Sequence, residues 1–276
     1  MKIRQMTLAD LLMVLDWARE EGWNPGHSDA PAFLAADPEG FFLAEVDGRP
    51  AAAISVVNHD ADHAFLGLYI CRPEFRGKGH GLALWTAALA HAGSRSVGLD
   101  GVPAQQANYE RSGFVNVGQT VRYRGHVPAT RTNRIRPARE SDLAALIAAD
   151  ATAAGHKRSS YADAWFRPAR GRQTLLLDGP MESLAFATFR TCAEGTKVGP
   201  LLAASEEDAL ALLQSRPAPF ADGPLFVDVP AASPRLRKML EDHSFEPAFD
   251  TARMVRGSPP PASPPELYAV TTLELG

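Results

Sequence analysis

The 276 residues carry 28 Lys and Arg against 32 Asp and Glu, a formal charge of −4 and a pI near 6.1, so no broad basic field exists to hold nucleic acid or an acidic membrane. Two cysteines, Cys71 and Cys192, are too few and too far apart for a disulfide framework or a structural zinc site, and a reducing cytoplasm suits them. The length allows two ordinary domains; MKIRQMTLADLL has too short an apolar run for a signal sequence, and no stretch reaches the roughly 20 apolar residues of a membrane span.

In chain order, Ile3 opens a short strand, and Thr7 with Asp10 has the form of a capping box before a helix. Leu8, Leu11, Leu12, Leu15 and Ala18 make an apolar stripe along that helix. EEGWNPGHSDA then gathers turn residues around Trp23. The alternating runs Phe41–Val46 and Ala51–Val57 flank DGRP as a hairpin. A strand from Phe65 to Cys71, a helix from about Leu82, a strand Ser96–Leu99, a helix near Gln105–Arg111 and strands within Val115–Arg124 follow. This order predicts an α+β fold, a mixed sheet around a parallel strand–helix–strand unit.

The order then recurs. IRQMTLADLLMVLDWA from Ile3 matches IRPARESDLAALIAAD from Ile135, and Asp10 and Asp142, like Gly125 and Gly257, stand 132 residues apart. Two tandem copies are predicted, residues 1–126 and 127–276, with a polar linker over 126–134. Near the end, PPPASPPE reads as a stiff connector to a last strand, Leu267–Leu275.

The most informative stretch is YICRPEFRGKGHG, in which Gly77, Gly79 and Gly81 alternate with Lys78 and His80 after Arg76, directly before a helical pattern. A helix N-terminus carries unpaired N–H groups and a partial positive charge, and glycines let a phosphate reach them. A P-loop is excluded because Gly79 and His80 follow Lys78 where Ser or Thr should hold magnesium. A dinucleotide fold is excluded because the loop follows the fourth strand and its glycine spacing is wrong.

Arg76-Gly77-Lys78-Gly79-His80-Gly81 resembles the Arg/Gln-x-x-Gly-x-Gly/Ala signature of the GNAT N-acetyltransferase superfamily, and ANYERSGF, Ala107–Phe114, resembles that family's tyrosine-bearing helix. The resemblance covers residues 3–125, and the whole chain looks like a bacterial subgroup with a second, degenerate GNAT domain. It implies that acetyl-CoA is bound by the loop residues Arg76 to Gly81, by the backbone of Leu68, Tyr69, Ile70 and Cys71, and by Asn108. Cys71 then packs near the cofactor without doing chemistry.

The implied reaction is acetyl transfer to a primary amine of a small-molecule acceptor by direct attack. Its alternative is an acyl-CoA sensor without turnover, which would have no need of a leaving-group acid. Tyr109 matches the family's general acid, against a reading as a packed ring with a wet hydroxyl, and the thioester carbonyl is expected to meet an N–H of the Tyr69–Cys71 strand. For the base, Asp100 at a strand end is one candidate, and Glu20, Glu21, His27 and Asp29, around EEGWNPGHSDA, are others. Trp23, Asn24, Glu21 and Asp29 are the expected acceptor-binding residues, Trp23 being either a pocket wall or a plug. His59 and His63 lack a third ligand at matching spacing and read as a polar loop, with no metal site.

In the second copy TKVGPLLAASEEDALALL carries no glycine cradle, Ser205, Glu206, Glu207 and Asp208 open the helix, and Leu240 stands where Tyr109 aligns. Carboxylates at that helix start repel a pyrophosphate. One coenzyme A per chain is therefore expected, with the second copy packing on the first and closing the acceptor side of its cleft. The chain is expected to be a monomer or homodimer.

Overall fold

Each copy starts on the same ionic clamp. In the first, strand β1 (Lys2–Gln5) leads into helix α1 (Leu8–Glu20); the Thr7 hydroxyl accepts the Asp10 N–H, and Asp10 accepts the Thr7 N–H at 2.8 Å and the Arg4 guanidinium at 2.7 Å. In the second, β7 (Ile135–Pro137) leads into α5 (Leu143–Ala154), and Asp142 accepts the Arg139 N–H and the Arg136 guanidinium, both at 2.7 Å. The computed structural model describes residues 1–130, 132–178, 184–260 and 267–276. Residues 261–266 of the expected connector lie outside that set.

The first copy continues through α2 (Ala30–Ala36), β2 (Phe41–Val46), β3 (Arg49–Asn58), β4 (His63–Cys71), α3 (His80–Leu89), β5 (Ser96–Gly101), α4 (Gln106–Arg111) and β6 (Val115–Gly125). The second has α6 (Ser159–Phe166), β8 (Arg172–Leu177), β9 (Ala185–Thr191), β10 (Thr196–Leu202), α7 (Glu206–Gln214), β11 (Leu225–Pro230), α8 (Pro234–Asp242), β12 (Glu246–Arg256) and β13 (Tyr268–Ala269). Helix α2 has no counterpart among the expected elements. Along α1, Leu11, Val14, Leu15, Trp17 and Ala18 are buried, while Leu8 and Leu12 of the expected stripe are exposed.

The described strands form one sheet, ordered β1-β2-β3-β4-β5-β12-β6-β11-β10-β9-β8-β7, with β13 beside β10. The last long strands are exchanged: β12 of the second copy pairs with β5, and β6 of the first copy pairs with β11. They pair antiparallel with each other from Glu246 opposite Arg124 to Val255 opposite Val115. The sequence repeat divides at residues 126–127, but the sheet has no gap there, since each half is completed by a strand of the other copy. Helices α1, α2, α5 and α6 share one core, in which Phe33 and Trp165 stack at 6.3 Å.

Residues 267–276 do not form the long last strand expected from their composition. Only Tyr268 and Ala269 are extended, paired antiparallel to Leu202 and Leu201 of β10. β10 and β11 are parallel only from Thr196 to Val198, then diverge, and β13 fills the wedge between them. The wedge limits the strand's length; Val270 N–H then bonds the Asp228 carbonyl, and the chain crosses to the first copy. Two glycines 132 residues apart accommodate that crossing. A Cβ on Gly199 would meet the Val270 carbonyl oxygen at 2.3 Å, and one on Gly67 would meet the Glu274 carbonyl oxygen at 2.0 Å.

Candidate active site

In the first copy the corresponding wedge is open. β4 and β5 pair in parallel from His63 opposite Ser96 to Leu66 opposite Leu99 and no further. On its other side β4 shifts register: Gly67 faces Ser55 and Ile70 faces Ala53, so Leu68 and Tyr69 oppose Ile54 alone. This is a β-bulge, and Leu68 takes φ +48° in it. The backbone from Leu68 to Cys71 thus turns its β5-side edge into a cleft of about 510 Å³.

The glycine loop opens at the same place. Gly77 and Gly79 have φ +73° and +80°, and a Cβ at either would meet nothing within 4 Å. Gly79 is the N-cap of α3, and no side chain caps that helix, so its first N–H groups face the loop. The basic side chains flanking the cradle have protein partners: Arg76 donates to the Cys71 carbonyl at 2.8 Å and to Glu21 at 2.6 Å, and Lys78 donates to the Glu74 carbonyl at 2.8 Å. The cradle is therefore made of backbone. His80 is the first α3 residue, and a Cβ on Gly81 would lie 2.7 Å from the Tyr69 hydroxyl, so a side chain there would push the Tyr69 ring end aside. In the second copy the matching helix α7 is capped by Ser205, whose hydroxyl accepts the Asp208 N–H, and its first turn holds Glu206, Glu207 and Asp208.

Tyr109 projects from α4 into the cleft wall and is 7% exposed. Its ring stacks on Trp85 at 5.4 Å, and burial, with Tyr69 close by, raises its hydroxyl well above the usual phenol range, which keeps it protonated. Leu240, its counterpart, lies in the apolar core of the second copy. Burial also pushes the Cys71 thiol up, so it stays a thiol at neutral pH.

The expected acceptor and base residues, with Asn108 expected at the cofactor, separate into two groups. Glu21, Trp23 and Asp100 line the cleft; Asn24, Asp29 and Asn108 are not among its lining residues. Asp29 is buried as the partner of Arg190 at 2.6 Å, Asn24 bonds the Glu194 backbone, and the Asn108 amide bonds Gln105 at 2.6 Å and Arg111. Asp100 is corrected as a free base: Arg253 from the inserted β12 holds both its oxygens, at 3.0 and 2.8 Å. Asp228 of β11 is held in the same way by Arg122 of β6, at 2.7 and 2.9 Å. The pair recurs even in the copy without a cradle, so it fastens the exchanged strands. Burial raises the Asp100 carboxyl while Arg253 opposes that shift. Asp100→Asn is expected to cost about 3 kcal/mol of stability, as for removing one partner of a buried pair, with a similar loss for Asp228→Asn in urea unfolding. A large kcat loss at unchanged stability would return Asp100 to the base role.

Four cleft residues, Phe249, Thr251, Leu273 and Glu274, come from the second copy and were not singled out from the sequence. Glu274 is 4% exposed, and its Oε2 has no hydrogen-bond partner among the described residues. Arg122 and Lys197 both donate to the Trp23 carbonyl, at 2.8 and 2.9 Å, tying the first copy's loop to the second's strands. The recurring Gly67 and Gly199 were a visible signal of something passing both strands; what passes was not.

Comparison with known proteins gives the same two-copy picture. Residues 8–114 match the model of the acetyltransferase (GNAT) family and residues 146–269 that of an acetyltransferase (GNAT) domain. Holothin acyltransferase from Pseudoalteromonas sp. (strain SANK 73390) is 31% identical over 273 residues, 98% of this chain and 92% of the relative. The chain belongs to the GNAT acetyltransferase superfamily and has two GNAT domains. It is a GNAT acyltransferase. Among solved structures, a Pyrococcus horikoshii protein described as a candidate acetyltransferase aligns with a TM-score of 0.83 at 20% identity, covering 100% of this chain and 95% of that one. A tandem GNAT protein from the clavulanic acid biosynthesis pathway aligns at 0.62 and 14% identity, covering 93% and 99%. Both share the tandem GNAT fold. GNAT acyltransferases use acyl-CoA, and the open β4 edge with the uncapped α3 N-terminus is a backbone arrangement that fits its pantetheine and pyrophosphate. No described helix is long and apolar enough to cross a membrane.

Proposed function

We propose that the first GNAT copy transfers an acetyl group from acetyl-CoA to a primary amine of a small-molecule acceptor, and that the second copy binds no coenzyme A. The observation carrying this reading is the contrast between the two wedges. In the first copy β4 offers a free backbone edge beside an uncapped helix N-terminus and Tyr109. In the second, β13 occupies the same edge, Ser205 caps the helix and Leu240 replaces the tyrosine.

The pantetheine would pair along Leu68–Cys71 and the pyrophosphate would meet the N–H groups after Gly77 and Gly79, where fixed dipoles replace water around the charge. The acceptor nitrogen, once neutral, attacks the thioester carbon; the C–N bond forms, the C–S bond breaks, and its electron pair remains on sulfur. Tyr109 gives its hydroxyl proton to that sulfur, and the proton lost by the new amide nitrogen returns through solvent to the tyrosine. The small acceptor is supported by the full-length likeness to holothin acyltransferase and by a cleft of about 510 Å³ whose lining includes Phe249, Thr251 and Leu273. Calorimetric titration with acetyl-CoA is expected to give one site per chain. Two sites, or one that persists when the cradle is destroyed, would show that coenzyme A binds outside the first copy's cradle and overturn this reading.

A further inference from the structure

We propose that Glu274, carried into the first copy's cleft by residues 267–276, binds the acceptor's ammonium group and takes its proton. The inference rests on the acyl-transfer reading and adds to it the residue that activates the nucleophile. Three carboxylates line the cleft, Glu21, Asp100 and Glu274. Glu21 is paired with Arg76, and Asp100 with Arg253. Only Glu274 presents a buried oxygen, Oε2, with no partner among the described residues. The buried cations Arg122, Arg190 and Lys197, two of them paired with Asp228 and Asp29, interact electrostatically with Glu274 and favour its carboxylate form, yet none of them hydrogen-bonds Oε2. A buried oxygen without that bond is costly, and an ammonium ion arriving in the cleft would supply it.

Placement supports the role. The Glu274 backbone lies against Gly67, at the start of the bulge from which Leu68–Cys71 faces the cofactor wedge. Leu273 beside it, with Trp23 and Phe249, gives the cleft apolar walls, which suit an amine on a compact apolar body. The crossing segment is pinned on both sides: His59 Nε2 lies 2.8 Å from the Leu275 carbonyl, and Arg158 donates to the Gly276 carbonyl. It therefore fills the second copy's wedge with β13 and delivers Glu274 to the first copy's cleft. In the reaction the ammonium N–H bond breaks, its proton moves to Oε2, and the electron pair left on nitrogen forms the C–N bond. The carboxylic acid returns its proton to water after product leaves.

The test uses the full chain saturated with coenzyme A for binding and with acetyl-CoA for turnover. Benzylamine and tyramine serve as ammonium probes, and aniline as an amine already neutral at pH 7. Glu274→Gln is expected to weaken benzylamine binding at least about tenfold in calorimetry while benzyl alcohol binding is unchanged, and to lower kcat/KM for benzylamine by about 10²–10⁴ but for aniline by less than about tenfold. From pH 7 to 9 the wild-type kcat/KM for benzylamine should be flat. In the Gln chain it should climb about tenfold per unit, since only the free amine reacts. Glu274→Asp keeps the carboxylate and should keep the flat profile at a lower rate, so it carries the test if the Gln chain is unstable. Equal benzylamine affinity in wild type and Gln chains, no ammonium binding by wild type, or a flat profile in the Gln chain overturns the assignment. Ammonium binding that depends on Glu274 in a chain that turns over no amine overturns the transfer reading instead.

Discussion

Gly79→Val is expected to abolish acetyl-CoA binding, by at least about 100-fold or roughly 2.7 kcal/mol, while leaving the chain folded. Gly79 holds φ +80° at the N-cap of α3, a region in which a β-branched residue is a severe outlier. No atom lies within 4 Å of the new Cβ, so the side chain displaces no protein core. The space it takes is the approach to the helix N–H groups. Backbone strain of about 1–3 kcal/mol should lower Tm by only several degrees. Calorimetry with acetyl-CoA, paired with thermal melting, reads both effects; wild-type affinity in the folded variant would remove this loop from the cofactor site.

Tyr109→Phe is expected to lower kcat by about 10²–10⁴ with acetyl-CoA affinity nearly unchanged. The substitution keeps the ring stacked on Trp85 at 5.4 Å and edge-on to Phe114 at 6.5 Å, so stability should change little. It deletes only the hydroxyl, whose proton burial holds in place. Because that pKa is raised, the acid form persists across the neutral and mildly alkaline range, and wild-type kcat should show no fall there from tyrosine ionisation. Single-turnover measurement, in which chemistry limits the rate, checks both points. An unchanged kcat would mean that solvent or another group protonates the departing thiolate.

The cradle was legible because its chemistry is local. Three glycines, a strand before them and a helix after them fix where N–H groups face outward, and Gly77 and Gly79 do hold positive φ. The repeat was legible for the same reason, and Asp10 and Asp142 do perform the same clamp on Arg4 and Arg136. Asp29 and Asp100 were not legible as structural ions, since their partners Arg190 and Arg253 lie 161 and 153 residues away. A carboxylate looks equally available in sequence whether or not a guanidinium meets it in space.

By itself the sequence determined most of the α+β elements, though neither helix α2 nor the shortness of the last strand, together with the duplication, the glycine loop and the loss of that loop in the second copy, and these patterns are each set by residues close together in the chain. The tertiary structure alone decided that β6 and β12 exchange places, that β13 fills the second wedge, and that Glu274 reaches the first cleft. These outcomes follow from strand edges competing for partners: a diverging parallel pair leaves backbone groups unpaired, and the nearest suitable segment satisfies them irrespective of its distance along the chain. In one copy that segment is the chain's own Tyr268–Ala269, and in the other the edge from Leu68 to Cys71 faces the cleft.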